Sequence, residues 1–287
     1  MRSTEEMFDL ILTFAKTDER VRAVVLNGSR ANPNAPKDRY QDFDIVYVVN
    51  DFDTFLADHS FIDQFGERLM LQMPETMRDP CGDGHFNWMM LFTDGNRLDL
   101  TLIPMEKLYL VGNDSQSITL LDKDNILPAF PPASDADYHV KPPSALDYHS
   151  CCNNFFWCMQ NVAKGIARDE LPYVMSMYHT VVLEELHDML SWYIGAHHDF
   201  AVAPGKMGKY FKKFLPAAMY EQYKAVYADA DYDRIWNALF AACGLFREAA
   251  LAVGGKMGYD YNRQDDENML LYLRQVKRES SEDSEEG

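Results

Sequence analysis

Two aspartates separated by one residue constrain this chain more than any other feature. They open the run Asp42-Phe43-Asp44-Ile45-Val46-Tyr47-Val48-Val49, whose β-branched and aromatic residues predict a strand. Strand side chains alternate between faces, so Asp42 and Asp44 point the same way. Two carboxylates on one face beside a buried strand repel each other unless a cation lies between them. Magnesium suits the pair, because it takes carboxylate and phosphate oxygens together. Upstream, Val24-Val25-Leu26 runs into Asn27-Gly28-Ser29-Arg30, a strand that stops at a Gly-Ser turn. Downstream, Arg97-Leu98-Asp99-Leu100-Thr101-Leu102 sets one acid in another alternating strand. Alone, Asp99 reads as a solvated outward residue. With the turn and the Asp-x-Asp pair it reads as the third carboxylate of a metal site.

The remaining elements follow from periodicity. Ser3 and Glu6 have capping-box spacing and open a helix over 3–17 with Met7, Leu10, Ile11 and Phe14 on one face. Strands are predicted at 21–26, 42–49, 68–73, 86–92 and 97–103. Thr93-Asp94-Gly95-Asn96 forms a hairpin turn between the last two. A broken helix over 51–65, a short helix over 105–110 and a last short strand or turn at 120–124 complete this half. The segment 128–143, rich in Pro, Ala, Asp and Ser, reads as a linker. Beyond it the period turns helical, with helices at 144–168, 171–198, 207–228, 231–254 and 265–278. The fold class is α+β: an N-terminal mixed sheet with flanking helices over 1–135, an all-helical bundle over 144–278, and a disordered acidic tail over 279–287.

The order Gly-Ser, Asp-x-Asp, lone Asp resembles the polymerase-beta-type nucleotidyltransferase superfamily, in which the turn holds a triphosphate and the acids hold metals. Longer blocks are more specific: Leu26 to Asn34, Tyr40 to Val49, Ile62 to Arg68, Asp94 to Leu102, Val162 to Gly165, Met189 to Gly195 and Gly205 to Tyr210. Together they are similar to the aminoglycoside 6-adenylyltransferase (streptomycin adenylyltransferase) family, over nearly all the chain to about Arg278. The resemblance implies ATP as co-substrate, Mg2+ as cofactor, and a small cationic aminoglycoside as acceptor, held between a sheet domain and a helical domain.

On that basis Asp99 is the expected general base, and Asp42, Asp44 and Asp99 the metal ligands. Gly28 and Ser29 allow close approach of the phosphates, with Arg30 adding charge. Lys206 and Lys209, at an expected helix start, suit pyrophosphate; their glycine-containing stretch lacks the spacing and the Ser/Thr of a Walker loop. Lys164, mid-helix, is as readily a solvated lysine. Asn154 and Trp88 are the expected substrate contacts, although core packing is the plainer job for Trp88. The family has an acid where this chain has Asn154; an amide lacks the charge that would hold a guanidinium. That departure bears on the acceptor, not on adenylyl transfer.

Charge narrows the partners. Lys and Arg total 27 against 45 Asp and Glu, a net of −18. The last nine residues carry five acids and no base, leaving −13 for the rest. Such a surface repels nucleic acid and attracts polycations. The reading therefore has no nucleic-acid partner, no membrane, and a monomer or weak oligomer. No apolar run reads as membrane-spanning and the N-terminus lacks a signal-peptide core, so the cytoplasm is the expected compartment. Five cysteines fit reducing surroundings; His149 with Cys151-Cys152 lacks zinc-site spacing, and buried thiols are expected there. Two readings compete with the main one: the same fold acting on another small-molecule or protein hydroxyl, and a catalytically idle nucleotide-binding protein.

Overall fold

Ser3 accepts from the Glu6 amide and Glu6 reaches back to the Ser3 amide, closing the capping box that starts α1 (Thr4–Thr17). The structure, a computed structural model, describes residues 1–80, 82 and 84–286. Side chains of 281 and 283–286 are excluded, and Cys81, Asp83 and Gly287 lie outside the described residues. α1 buries Met7, Ile11, Phe14 and Ala15 against a sheet of six strands. These are β1 (Val21–Asn27), β2 (Phe43–Val49), β3 (Arg68–Gln72), β4 (Phe86–Phe92), β5 (Arg97–Pro104) and β6 (Ser117–Asp122), in the order β3-β4-β5-β2-β1-β6. β2 and β5 run parallel, and every other neighbouring pair is antiparallel. The last strand begins at Ser117, earlier than its apolar run suggests, because Ser117 and Ile118 pair with Asn27 and Leu26. The broken helix resolves into α2 (Phe52–Ala57) and a 3-10 segment, His59–Phe65.

Alternation divides the sheet into two faces. Phe43, Ile45 and Tyr47 of β2, Leu98, Leu100 and Leu102 of β5 and Trp88 of β4 share one core with the α1 residues. Tyr47, buried there, donates its hydroxyl to the Ile11 carbonyl at 2.7 Å, so its polar atom is satisfied. The other face carries a smaller cluster built on Ala23, Val25, Val46, Val48 and Ile103. Trp88 is corrected here as a substrate contact. It is fully buried on the α1 side, donates its indole N–H to His59 Nδ1 at 2.9 Å, and packs on Phe61 and Phe86. Truncating it to Ala should destabilise by about 3–5 kcal/mol.

The chain divides into two compact units, Met1–Asp137 and Tyr138–Gly287. The second opens with α3 (Ala145–Ala167), capped by Ser144 and Asp147. α4 (Leu171–Met177) passes through a π-helical turn, Tyr178–Val182, into α5 (Leu183–His197). The helix expected over 207–228 is broken into α6 (Phe211–Phe214) and α7 (Ala217–Lys224), since Pro216 is extended at ψ 143 and cannot continue a helix. α8 (Tyr232–Met257) ends at Gly258 in the left-handed region, and α9 spans Arg263–Glu286. α9 thus continues through the acidic segment expected to be disordered, with Ser280 Oγ donating to the Val276 carbonyl at 2.8 Å.

The expectation that no apolar stretch reaches membrane length is also corrected. α8 is long and apolar enough. Most of its apolar residues from Ile235 to Val253 are buried in the helical core, where Phe246 stacks on Phe155 at 3.9 Å. The four described cysteines, 151, 152, 158 and 243, are free and buried.

Candidate active site

β1 and β2 are antiparallel neighbours, and their register sets Asn27 opposite Asp44. β5 lies on the other side of β2 in parallel register, with Asp99 opposite Asp44. Phe43, Ile45, Leu98 and Leu100 fill the α1 side, so alternation turns Asp44 and Asp99 to the opposite face. The two carboxylates are neighbours across adjoining strands. Asp42 precedes β2 by one residue and joins them through Arg97. That guanidinium forks onto both oxygens of Asp99 (Nε 2.8 Å, Nη2 2.6 Å) and reaches Asp42 Oδ2 at 3.5 Å. The structure therefore gathers the three sequence-predicted acids on one side of the sheet.

Burial, together with the Asp99 and Asp42 charges, pushes the Asp44 carboxyl up to about 6, with Arg97 and Arg30 opposing. A carboxyl so placed is held out of its usual range by burial and by like charges, and a further cation would relieve the repulsion. Among the described residues no three acidic, His or Cys side chains are already gathered as a metal-binding set; Arg97 is the cation that Asp99 and Asp42 hold. The donor chemistry fits magnesium, being all carboxylate oxygen.

The Gly-Ser turn adjoins the same carboxylates. Gly28 has φ +72, and a Cβ there would sit 2.3 Å from Asp44 Oδ2. Only glycine suits that position, for both reasons. Its N–H donates to the Gln116 carbonyl at 3.1 Å. Ser29 follows inside the 3-10 turn Gly28–Arg30, where first-turn amides lack intrahelical partners. Arg30 is a loop clamp in this structure. It donates to the Asp42 and Gln41 carbonyls at 3.0 and 2.7 Å and lies 3.7 Å from the Phe43 ring centroid.

In the helical unit, Lys206 and Lys209 are exposed around a 3-10 turn, Lys206–Gly208, followed by the four-residue α6. That corrects the expected helix start, since so short an element has little dipole to offer an anion. Lys164 is exposed mid-α3. Asn154 is half-buried on α3 and donates its amide to Glu185 Oε1 of α5 at 2.5 Å.

Sequence reasoning missed Arg97, Asn27, Ser117 and Glu185. Arg97 was open to it, standing two residues before Asp99 in an alternating strand and so on the same face. Asn27 was half visible, as the last residue before the turn. Its Oδ1 accepts from Ser117 Oγ at 2.9 Å, and that bond rests on a β1–β6 pairing with no local signature. Asn27, Val46, Asn87 and Thr101 also line a cavity of about 290 Å³ on the acid-bearing face.

Comparison with known proteins agrees in one direction. The streptomycin adenylyltransferase family model matches residues 1–276. An aminoglycoside 6-adenylyltransferase of Campylobacter jejuni is 38% identical over 286 residues, covering 99% of each chain. The Bacillus subtilis protein of that name is 37% identical over 270 residues, 93% of this chain and 95% of its own. A crystal structure of an aminoglycoside 6-adenyltransferase from Bacillus subtilis aligns at 31% identity and TM-score 0.48, covering 96% of this chain and 99% of that one. Matched by the family model and by relatives along nearly its whole length, the chain belongs to the streptomycin adenylyltransferase family of nucleotidyltransferase enzymes.

Proposed function

We propose that this protein transfers AMP from ATP to a hydroxyl of a cationic aminoglycoside such as streptomycin, releases pyrophosphate, and uses magnesium. The observation that carries the reading is the in-register pair Asp44 and Asp99 on adjoining parallel strands, beside a turn where a Cβ would strike Asp44. The acceptor hydroxyl oxygen bonds to the α-phosphorus, the bond to the pyrophosphate oxygen breaks in line, and the hydroxyl proton passes to Asp99. To accept it, Asp99 releases one oxygen from the Arg97 fork. Asp42, Asp44 and Asp99 would hold magnesium, which supplies positive charge to the phosphate oxygens and to the attacking and leaving atoms. Gly28 keeps the turn close to Asp44, leaving Ser29 to face the phosphates. Lys206 and Lys209 remain proposed partners of the pyrophosphate.

Asn154 and Glu185 bear on the acceptor. The acid absent from position 154 is brought there from α5, since Glu185 holds the Asn154 amide. A guanidinium or ammonium on the acceptor would find a carboxylate at that place after all. The net charge of −18 supports a cationic acceptor and argues against nucleic acid. The test is mass analysis of streptomycin and other aminoglycosides incubated with enzyme, ATP and magnesium. One added AMP with matching pyrophosphate release supports the reading. Bound nucleotide without turnover on every acceptor would favour an idle nucleotide-binding protein instead.

A further inference from the structure

One cavity is lined by none of the residues assigned to this chemistry. It lies between α8 and α9 of the helical unit and measures about 590 Å³, a size that holds a small organic molecule. Phe240, Gly244 and Leu270 supply apolar lining, while Arg247, Arg274, Lys277 and Arg278 bring four cations from the two helices. Arg247 is matched by Asp266, and Glu282 brings one acid to the lining. Arg274 and Arg278 stand one turn apart on α9 and make no ion pair with any described residue. Like charges at that spacing oppose helix formation.

Gly244, on the cavity wall, leaves room for a ligand. It sits inside α8, where glycine is the least favoured residue after proline, and a Cβ added there meets no atom within 4 Å. No close packing within the protein requires a residue without a side chain at this point. The space above it belongs to the cavity.

We propose that this cleft binds a small amphipathic anion, a flat or alkyl body with a phosphate or carboxylate head, separately from the ATP and acceptor sites. The body lies over Gly244 against Phe240 and Leu270, and the head meets Arg274 and Arg278. A ligand of this charge is opposite to the cationic acceptor and does not depend on the three acids of the sheet.

Full-length enzyme in EDTA is titrated calorimetrically with 1-naphthyl phosphate and, in a second arm, decyl phosphate, with inorganic phosphate and 1-naphthol as controls. At least one amphipathic probe is expected to bind one-to-one, with each control at least tenfold weaker. The two arms distinguish an aryl from an alkyl ligand. Gly244→Leu fills the cleft and is expected to weaken binding at least tenfold while the melting temperature holds or rises. The surface double variant Arg274→Gln/Arg278→Gln tests the head group without touching the core and should weaken binding similarly. Absence of saturable binding by both probes overturns the proposal. So does unchanged binding in both variants, or competition by ATP; competition would make the cleft part of the co-substrate site.

Discussion

The acid-bearing sheet face and the cationic cleft between α8 and α9 gather like charges by different means. On the sheet, alternation aligns Asp42 with Asp44, and one register step on parallel strands sets Asp99 beside Asp44. Burial, with the Asp99 and Asp42 charges beside it, moves the Asp44 carboxyl up to about 6. In the cleft, Arg247 and Arg274 come from different helices, and their convergence depends on how α9 leans from α8. Local alternation pairs Asp42 with Asp44 and strand pairing adds Asp99, whereas in the cleft Arg274, Lys277 and Arg278 share one helix and packing adds Arg247. One is therefore sensitive to single-atom changes near the backbone, and the other to volume.

The largest expected effect comes from breaking the sheet cluster itself. Asp99→Asn should lower AMP transfer by about 10²–10⁴-fold, the range for removing a general base, with ATP-analogue binding and melting temperature retained. A near wild-type rate would remove Asp99 from that role. Next is Gly28→Ala, which introduces a side chain at φ +72 and 2.3 Å from Asp44 Oδ2. Backbone strain and the clash should cost about 1–3 kcal/mol of stability, read by denaturant unfolding, along with most of the activity.

A pH series sharpens the comparison further. Asp44 has a folded pKa of about 6 against 3.8 for the free group, so its contribution is fully present below about pH 3.8 and is lost as pH rises through about 6. Metal-free Asp44→Asn should then match the wild type near pH 3.5 and exceed it at pH 7.5, by no more than about 3 kcal/mol. An equal gap at both pH values would show that burial and like-charge repulsion are not what this carboxyl feels. The smallest effect belongs to Arg97→Gln. Its pair with Asp99 is partly exposed and worth about 1 kcal/mol. The carboxylates it leaves unmatched should bind Mn2+ several-fold more tightly in paramagnetic titrations without nucleotide. Weaker Mn2+ binding would mean that Arg97 shapes the site instead of matching its charge.

Several features were legible because they are local. The Ser3/Glu6 and Ser144 caps, the Asp94-Gly95 hairpin and the period-two strands each depend on neighbours a few residues away. Trp88 was not legible as core by type alone: an aromatic on a strand serves either face, and only the packing of Phe61, Phe86 and His59 fixes it on the α1 side. The helix start expected at Lys206 and Lys209 was not legible, since glycines before a lysine resemble a helix entry, yet Met207 is left-handed at φ 57 and Pro216 stops the helix soon after. Arg30 looked like a phosphate ligand beside a Gly-Ser turn. Its bonds to the Gln41 and Asp42 carbonyls required the loop to fold back first.

By itself the sequence determined the pair Asp42 and Asp44, the glycine at position 28, the two-part α+β arrangement and the family, because alternation, turn chemistry and long matching blocks are properties of contiguous chain. Tertiary structure alone decided that Asp99 lies beside Asp44, that Arg97 joins Asp99 to Asp42, that Glu185 reaches Asn154, and that four cations surround an open glycine. These depend on strand register and helix packing between distant segments, where the free energy resides in contacts that no short window of sequence contains.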